Sequence, residues 1–216
     1  MSNEIKQIPL SQLNSFENHP FIEYTGERLD KMVRSIGESG IHSPLIVREK
    51  NDVYEILSGH NRANAARMLS WETAPCIVKE NCSDDEAKLI VTETNFHQRA
   101  FADYKPSEKA KSIKMYNDAV RALKSQDVQN YLSFNADNDD IKATETVVGH
   151  DVPRVHTRDK SALQFGLSGR NISRYERLAL LVPEWLNKVD EGELGIVPAN
   201  EVTYLTRKRR KHFLSM

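Results

Sequence analysis

The sequence predicts two small domains of different class: an α+β domain over residues 1–105 and an all-helical domain over residues 106–216. Three observations predict this. The chain has 216 residues, long for one compact unit and comfortable for two at roughly 100–200 residues per domain. Strand-like and helix-like segments alternate through the first domain, whereas only helical periodicity follows Pro106-Ser107-Glu108. With 39% hydrophobic and 28% charged residues, the composition is that of a globular protein with long exposed helices.

Taken in order, Ile8-Pro9-Leu10 opens a short strand or turn, and Ser11-Gln12-Leu13 starts a helical turn. Thr25 is placed to cap a helix in which Leu29, Met32, Val33 and Ile36 repeat at helical spacing. Gly37 and Gly40 are expected to close that helix by supplying positive φ. Pro44 to Arg48 reads as a buried strand, Asn51-Asp52 as a turn, and Val53 to Leu57 as its hairpin partner. Ser58-Gly59 breaks the strand, Asn61 to Leu69 forms an alanine-rich helix, and Ala74 to Val78 is another strand. Ser83-Asp84-Asp85-Glu86 matches a capping box and opens a helix to about Asn95. In the second domain Ser107 is expected to cap a helix whose apolar face includes Ile113, Met115, Tyr116, Val120 and Leu123. Residues 133–157 are polar and acidic, an exposed insertion or mobile linker, and short helices resume over 158–181 and 183–192.

Several classes are disfavoured. No run approaches the ~20 apolar residues of a membrane span, and Met1 to Leu10 lacks the basic and apolar stretches of a signal peptide, so a cytoplasmic location is expected. Cys76 and Cys82 make neither a disulfide framework nor a metal-ligand set; Cys76, within Ala74-Pro75-Cys76-Ile77-Val78, is expected to be a buried small hydrophobe. The net charge of −1 is neutral on the question of nucleic acid, but its distribution is not. Asp137, Asp139, Asp140, Glu145 and Asp151 crowd the insertion. Arg154, Arg158, Lys160, Arg170, Arg174 and Arg177 follow, and Arg207 to Lys211 is an unbroken basic run. A basic last third suits a face for phosphates, and equally a solvated tail.

Two motifs carry chemistry. Ile56 to Ala66 runs from a strand through Gly59 directly into a helix, which gathers free backbone N–H groups and the positive end of the helix dipole at one point. Glycine admits a phosphate closely and Arg62 adds a planar donor; the same residues also fit a plain tight turn with a surface arginine. The second motif, at about 158–178, has the spacing of a helix-turn-helix. Ala162 is small where two helices cross, Gly166 takes the turn, Leu167 and Ile172 are apolar anchors, and Ser168 caps the second helix. That helix would present Ser168, Gly169, Arg170, Ser173, Arg174 and Arg177 outward, where arginine can read guanine. An ordinary helical hairpin with solvated arginines is the alternative.

Three segments of the first domain resemble the nucleotide-contacting motifs of ParB-like partition proteins. Ser39 to Arg48 resembles the family's G-I/L-x-x-P-[LI]-[VI]-V-R, Gly59-His60-Asn61-Arg62 its G-E-R-R-x-x-A box, and Glu93 to Arg99 its E-N-[IL]-Q-R. Leu178 to Val202 is similar to the family's R-L-L-x-L-P-x-x-[VI]…G-x-[LI] segment. The resemblance implies a ParB/sulfiredoxin-like first domain with a small mixed sheet, acting as a CTP-dependent switch. Gly40, Ile41 and Pro44 would then form the base pocket, and Gly59 and Arg62 would hold phosphates. His60, Asn61, Gln98 and Arg99 lie in the same boxes, and Asn95 would help bind Mg²⁺. It also implies site-specific binding of double-stranded DNA in chromosome, plasmid or mobile-element maintenance. Self-association as a homodimer, nucleoid association and a partition ATPase as candidate partner go with it. The family usually carries a C-terminal dimerisation domain, expected here to be absent or removed.

The departures bear on chemistry. Where the family has Glu and its first Arg in the second box, this chain has His60 and Asn61. Thr94 directly precedes Asn95, with the carboxylate one step earlier at Glu93. Binding is therefore expected rather than efficient hydrolysis, with Glu93 the weak candidate for any catalytic role. A small-molecule phosphotransferase on the same fold is the rival from another class; a sulfiredoxin-like enzyme needs a nucleophilic Cys where His60 stands. A plain helix-turn-helix regulator with a degenerate first domain is the third reading.

Overall fold

The computed structural model describes residues 4–98, 101–123 and 157–205. The acidic segment expected at 133–157, up to residue 156, lies outside the described residues, as do Arg99 and the basic run 207–211. The chain divides into two compact units, Met1–Asn95 and Phe96–Met216.

In the first unit the elements are β1 (Ile5–Pro9), a 3-10 turn (Leu10–Gln12), β2 (Leu13–Ser15), α1 (Gly26–Ser39), β3 (Leu45–Lys50), β4 (Val53–Ser58), α2 (His60–Met68), β5 (Thr73–Lys79) and α3 (Asp84–Gln98). The strands form one mixed sheet in the order β1-β5-β3-β4-β2. β1 with β5 and β3 with β4 are antiparallel, while β3 with β5 and β2 with β4 are parallel. This is the α+β class expected. Leu45, Val47, Ile56, Ala63, Ala66, Ala74 and Cys76 have no solvent exposure and join Ile8, Leu10 and Leu13 in one core. Alanines at 63 and 66 let α2 approach the sheet closely.

Local rules account for most boundaries. Asn51 and Asp52 both take positive φ (55° and 61°), the two-residue turn whose twist matches a right-handed hairpin. The capping box at Ser83 is formed: the Ser83 N–H donates to Glu86 Oε2 at 2.7 Å and the Glu86 N–H to Ser83 Oγ at 3.2 Å. One glycine expectation is corrected. Gly40 alone ends α1 with positive φ (76°, ψ −175°), a region essentially confined to glycine. Gly37 stays helical inside α1, where a β-carbon would meet Leu69 Cδ2 at 3.4 Å, an ordinary contact, so it plays no part in ending the helix.

The hairpin register sets Arg48 opposite Glu55. Both are buried, at 3% and 7% exposure. Arg48 Nε donates to Glu55 Oε2 at 2.7 Å, Nη1 to the Cys82 carbonyl at 3.2 Å and Nη2 to Asp84 Oδ1 at 2.6 Å. Burial opposes the Arg48 charge, but the bonds to Glu55 and Asp84 outweigh it and hold its pKa above the ordinary value. One guanidinium thus ties β3, β4 and the start of α3 together.

The second unit contains a 3-10 turn (Phe101–Asp103), α4 (Pro106–Ala122), α5 (Thr157–Phe165), α6 (Gly169–Leu178), α7 (Pro183–Asp190) and α8 (Ile196–Val202). Its helical class is as expected. Phe165 of α5 packs against Phe96, Tyr116 and Phe101, with ring centroids 4.6, 5.2 and 5.8 Å away. A second cluster joins Ala110, Leu178, Leu181, Leu186, Val189 and Ala199. The expected cap of α4 is corrected: Lys105 is the N-cap and Pro106 opens the helix. Ser107 lies inside, its N–H and Oγ donating to the Asp190 carboxylate at 2.8 and 2.5 Å. The long-range carboxylate of α7 outcompetes the local cap.

Breaking the Arg48 pair should be costly. Glu55→Ala leaves a buried cation with Asp84 as its main partner and should destabilise by about 3 kcal/mol, the low end for a broken buried pair. Arg48→Met/Glu55→Leu should recover most of that loss. Urea unfolding followed by fluorescence checks it, and a double variant as unstable as the single one would refute charge stranding as the cause.

Candidate functional site

At the end of β4 the chain turns into α2 at Gly59, in left-handed conformation (φ 102°, ψ 22°) and without a side-chain cap. The first intrahelical bond runs from the Ala63 N–H to the Gly59 carbonyl at 2.9 Å. The N–H groups of His60, Asn61 and Arg62 therefore have no acceptor within the helix, and they sit at its positive end. Beside this turn lies the segment from Gly40 to Pro44. Arg62 Nη1 donates to the carbonyls of Ser43 and of Pro44, the latter at 2.9 Å. The structure therefore brings Pro44 of the first motif beside Arg62 of the second, with Gly40 and Ile41 a few residues earlier in the same segment. Burial disfavours the Arg62 charge and pulls its pKa below the usual arginine value.

The remaining residues of the second box face the other way. The Phe16 N–H donates to His60 Nε2 at 3.3 Å, and the Tyr24 N–H to Asn61 Oδ1 at 2.8 Å. Further along α2, Asn64 Nδ2 donates to Glu23 Oε2 at 2.6 Å and Arg67 Nη2 to the Leu13 carbonyl at 2.7 Å. The polar side of α2 is thus a spine that holds the segment from Leu13 to Tyr24. His60 is 4% exposed and lies against His19, the rings tilted by 38° with centroids 3.8 Å apart. Burial holds its pKa down to about 3, aided by the neighbouring charges of His19, Arg67 and Arg62.

The third motif lies on α3. Glu93 is buried, and Asn95 Nδ2 donates to the Val91 carbonyl of its own helix at 2.8 Å. Two residues apart on a helix is about 200°, so Glu93 and Asn95 leave opposite faces and do not converge on one ion. Among the described residues no group of three or more His, Cys, Asp or Glu could hold a metal. Gln98 ends α3, and Arg99 lies outside the described residues.

In the second unit, α5, a turn at Gly166 (φ 61°) and α6 form the helix-turn-helix. The Leu167 N–H closes the turn on the Ala162 carbonyl at 3.0 Å, and the Asn171 N–H donates to Ser168 Oγ at 3.3 Å, the expected cap. Ile172 is fully buried. Ser168 and Arg170 are exposed and Gly169 half-buried. Ser173 Oγ donates to the Gly169 carbonyl at 3.1 Å, and Arg174 Nη1 to Asn171 Oδ1 at 3.2 Å. Arg177 turns elsewhere: Nε and Nη2 donate to Thr203 Oγ1 at 3.2 and 3.0 Å, and its guanidinium carbon lies 3.7 Å from the centre of the Tyr204 ring.

A family model described as the ParB N-terminal domain matches residues 1–95. Over those residues the chain is similar to ParB N-terminal domains. A nucleoid occlusion protein of Halalkalibacterium halodurans is 31% identical over 90 residues, covering 42% of this chain and 32% of that protein. Its counterpart in Shouchella clausii is 28% identical over 122 residues, covering 56% and 43%. The chain thus spans less than half the length of these relatives. The pNOB8-like ParB N-domain shares the fold at 16% identity, with a TM-score of 0.51 over 99% of this chain and 78% of that one. No described helix is long and apolar enough to cross a membrane.

Sequence reasoning missed His19, the Arg48–Glu55–Asp84 cluster and the Thr203–Tyr204 contact to Arg177. A signal existed for the second: a two-residue turn at Asn51-Asp52 already sets residue 48 opposite 55. The first unit also carries a pH prediction. His60 is neutral when folded, with its pKa moved from 6.5 to about 3. The unfolded chain therefore binds the extra proton first. The stability linked to neutral His60 is present above about pH 6.5 and falls by roughly 1.4 kcal/mol per pH unit from there toward pH 3. His60→Gln should remove that slope. Urea unfolding at pH 7.5, 6.0 and 5.0 measures it, and equal slopes in both proteins would exclude His60 as its origin.

Proposed function

We propose that this chain is a site-specific DNA-binding protein of the partition and nucleoid type, with a nucleotide switch in its ParB N-terminal domain. The observation that carries the first part is α6, a capped second helix of a helix-turn-helix with Arg170 exposed and Arg174 beside it. Phosphate contacts from such a helix supply affinity, and bidentate arginine contacts to guanine supply sequence discrimination. A single helix-turn-helix covers one half-site, so the chain acts as a homodimer on a palindrome. Double-stranded DNA is its main partner, nucleoid association follows, and a partition ATPase is the candidate protein partner.

The switch is supported by the contact of Pro44 with the Gly59–Arg62 turn. An uncapped helix start and the Arg62 guanidinium meet there, with Gly40 and Ile41 just before it in the chain. CTP is the nucleotide that the ParB-like motifs suggest, with Mg²⁺ held by its phosphates and Asn95. Binding rather than turnover is favoured, because Glu93 and Asn95 leave opposite faces of α3. A second reading has its own observation: His60 and Asn61 are spent on Phe16 and Tyr24, so the first domain keeps its shape without nucleotide and the chain acts as a plain helix-turn-helix binder.

Two measurements decide. Calorimetric titration with CTP, ATP, GTP and UTP in Mg²⁺ should show selective CTP binding that Asn95→Ala weakens in Mg²⁺ but not in EDTA. Silence with all four nucleotides, with and without DNA, would leave the plain binder. Arg170→Ala/Arg174→Ala should lower the salt slope of DNA binding by about 0.9 for each phosphate that these arginines neutralise, and cost about 1–3 kcal/mol of discrimination per base-reading arginine. Unchanged DNA binding in that variant would remove α6 as the reading helix.

A further inference from the structure

Arg177 lies on α6 at helical spacing from Arg170 and Arg174, seven and three residues back, and by sequence it joins them on one basic stripe. Its side chain does not stay on that stripe. Both Nε and Nη2 converge on Thr203 Oγ1, and the guanidinium lies flat enough over the exposed Tyr204 ring to put its carbon 3.7 Å from the ring centre. Such contacts fix an arginine in one pose, since a planar fork and an aromatic face each constrain its orientation.

The contact belongs to a closed circuit between α6 and α8. Thr203 Oγ1 donates to the Asn200 carbonyl at 2.7 Å. Asn200 is buried, and its Nδ2 donates to the Ile196 carbonyl within α8 and to the Arg174 carbonyl of α6, each at 3.1 Å. The circuit therefore runs from the side chain of Arg177 through Thr203 and Asn200 and returns to α6 at the backbone of Arg174. It grips both of the last two turns of α6. Glu176, between them, is held from another side by Arg121 of α4 at 2.5 Å. The first turn of α6, with Ser168 and Arg170, is left exposed.

We propose that Arg177 is a positioning residue, and that it, Thr203, Tyr204 and Asn200 form a clamp by which α8 sets the angle of α6 against a DNA groove. This rests on the proposal that α6 reads DNA. Arg170 and Arg174 then make the contacts, while Arg177 spends its donors inside the protein. Base readout depends on the angle because bidentate hydrogen bonds to a base edge tolerate little misplacement, whereas phosphate attraction is far less directional. Loosening the clamp should therefore reduce discrimination between DNA sequences more than it reduces non-specific binding. A phosphate-contacting Arg177 would behave in the opposite way.

The test uses a duplex enriched from a random-sequence pool by the wild-type chain, beside a scrambled duplex of equal length, with affinities measured by anisotropy over a salt series. Arg177→Ala and Thr203→Val should each lower the ratio of enriched to scrambled affinity roughly tenfold, as for one weakened base contact. The salt slope on the scrambled duplex should stay at the wild-type value. Thr203→Ser, which keeps the acceptor, should restore the ratio, and the Arg177→Ala/Thr203→Val double variant should be no worse than either single one. Partial unfolding would lower both affinities together and leave the ratio unchanged, which overturns the proposal. So would a drop of about 0.9 in salt slope for Arg177→Ala alone, the mark of an arginine that had been neutralising a phosphate. If the pool yields no enriched duplex, or Arg170→Ala/Arg174→Ala changes nothing, DNA reading by α6 itself is refuted. If those hold and only the Arg177 and Thr203 effects are missing, the clamp alone fails.

Discussion

A β-carbon at residue 59 would stand 3.0 Å from Leu45 Cγ and 3.1 Å from the guanidinium carbon of Arg62, on a backbone with φ of 102°. That crowding is the constraint on which the first unit depends. It lets β4 turn into α2 with no intervening loop, keeps Arg62 against the carbonyls of Ser43 and Pro44, and aims the uncapped end of α2 at the segment that follows Gly40. Only glycine meets both demands, because any other side chain would clash with Leu45 while occupying a disfavoured backbone region.

Around that turn the chain divides its polar residues between two tasks. Arg62 and the backbone N–H groups face the first motif, while His60, Asn61, Asn64 and Arg67 hold the segment from Leu13 to Tyr24. The two departures from the ParB-like box thus have a structural use. A neutral histidine can accept from Phe16 and lie against His19 in a site with almost no solvent, where a charged pair would need further partners. The second unit shows the same economy, with Ser107 bound to Asp190 rather than capping α4 and Arg177 bound to Thr203 rather than exposed.

What was legible in the sequence was what local rules decide. The Ser83–Glu86 box, the Asn51-Asp52 turn, the apolar face of α4 and the Ser168 cap all rest on residues within one turn of each other, and each is found where spacing put it. The mixed α+β class followed from alternating periods. What stayed hidden was decided by distant partners. Gly37 stays inside α1 while Gly40 ends it, and Ser107 binds a carboxylate 83 residues away instead of capping α4. In the candidate sites, the meeting of Pro44 with Arg62 was implied by motif resemblance. Which arginines point outward was not, since spacing fixes a helical face but not the partner a long side chain finds.

The two halves of the nucleotide candidate site are also the two open ends of a single hairpin. Pro44 immediately precedes β3, Gly59 immediately follows β4, and the Asn51-Asp52 turn joins the strands at the far end. Nothing distant in the chain is needed to bring them together. The local hairpin carries a smaller loop-closure cost than the pairings with β1, β2 and β5. The turn at Asn51-Asp52 therefore sets the spacing of the site: its register fixes how far Pro44 and Gly59 stand apart at the hairpin's open end, and so what Arg62 can reach.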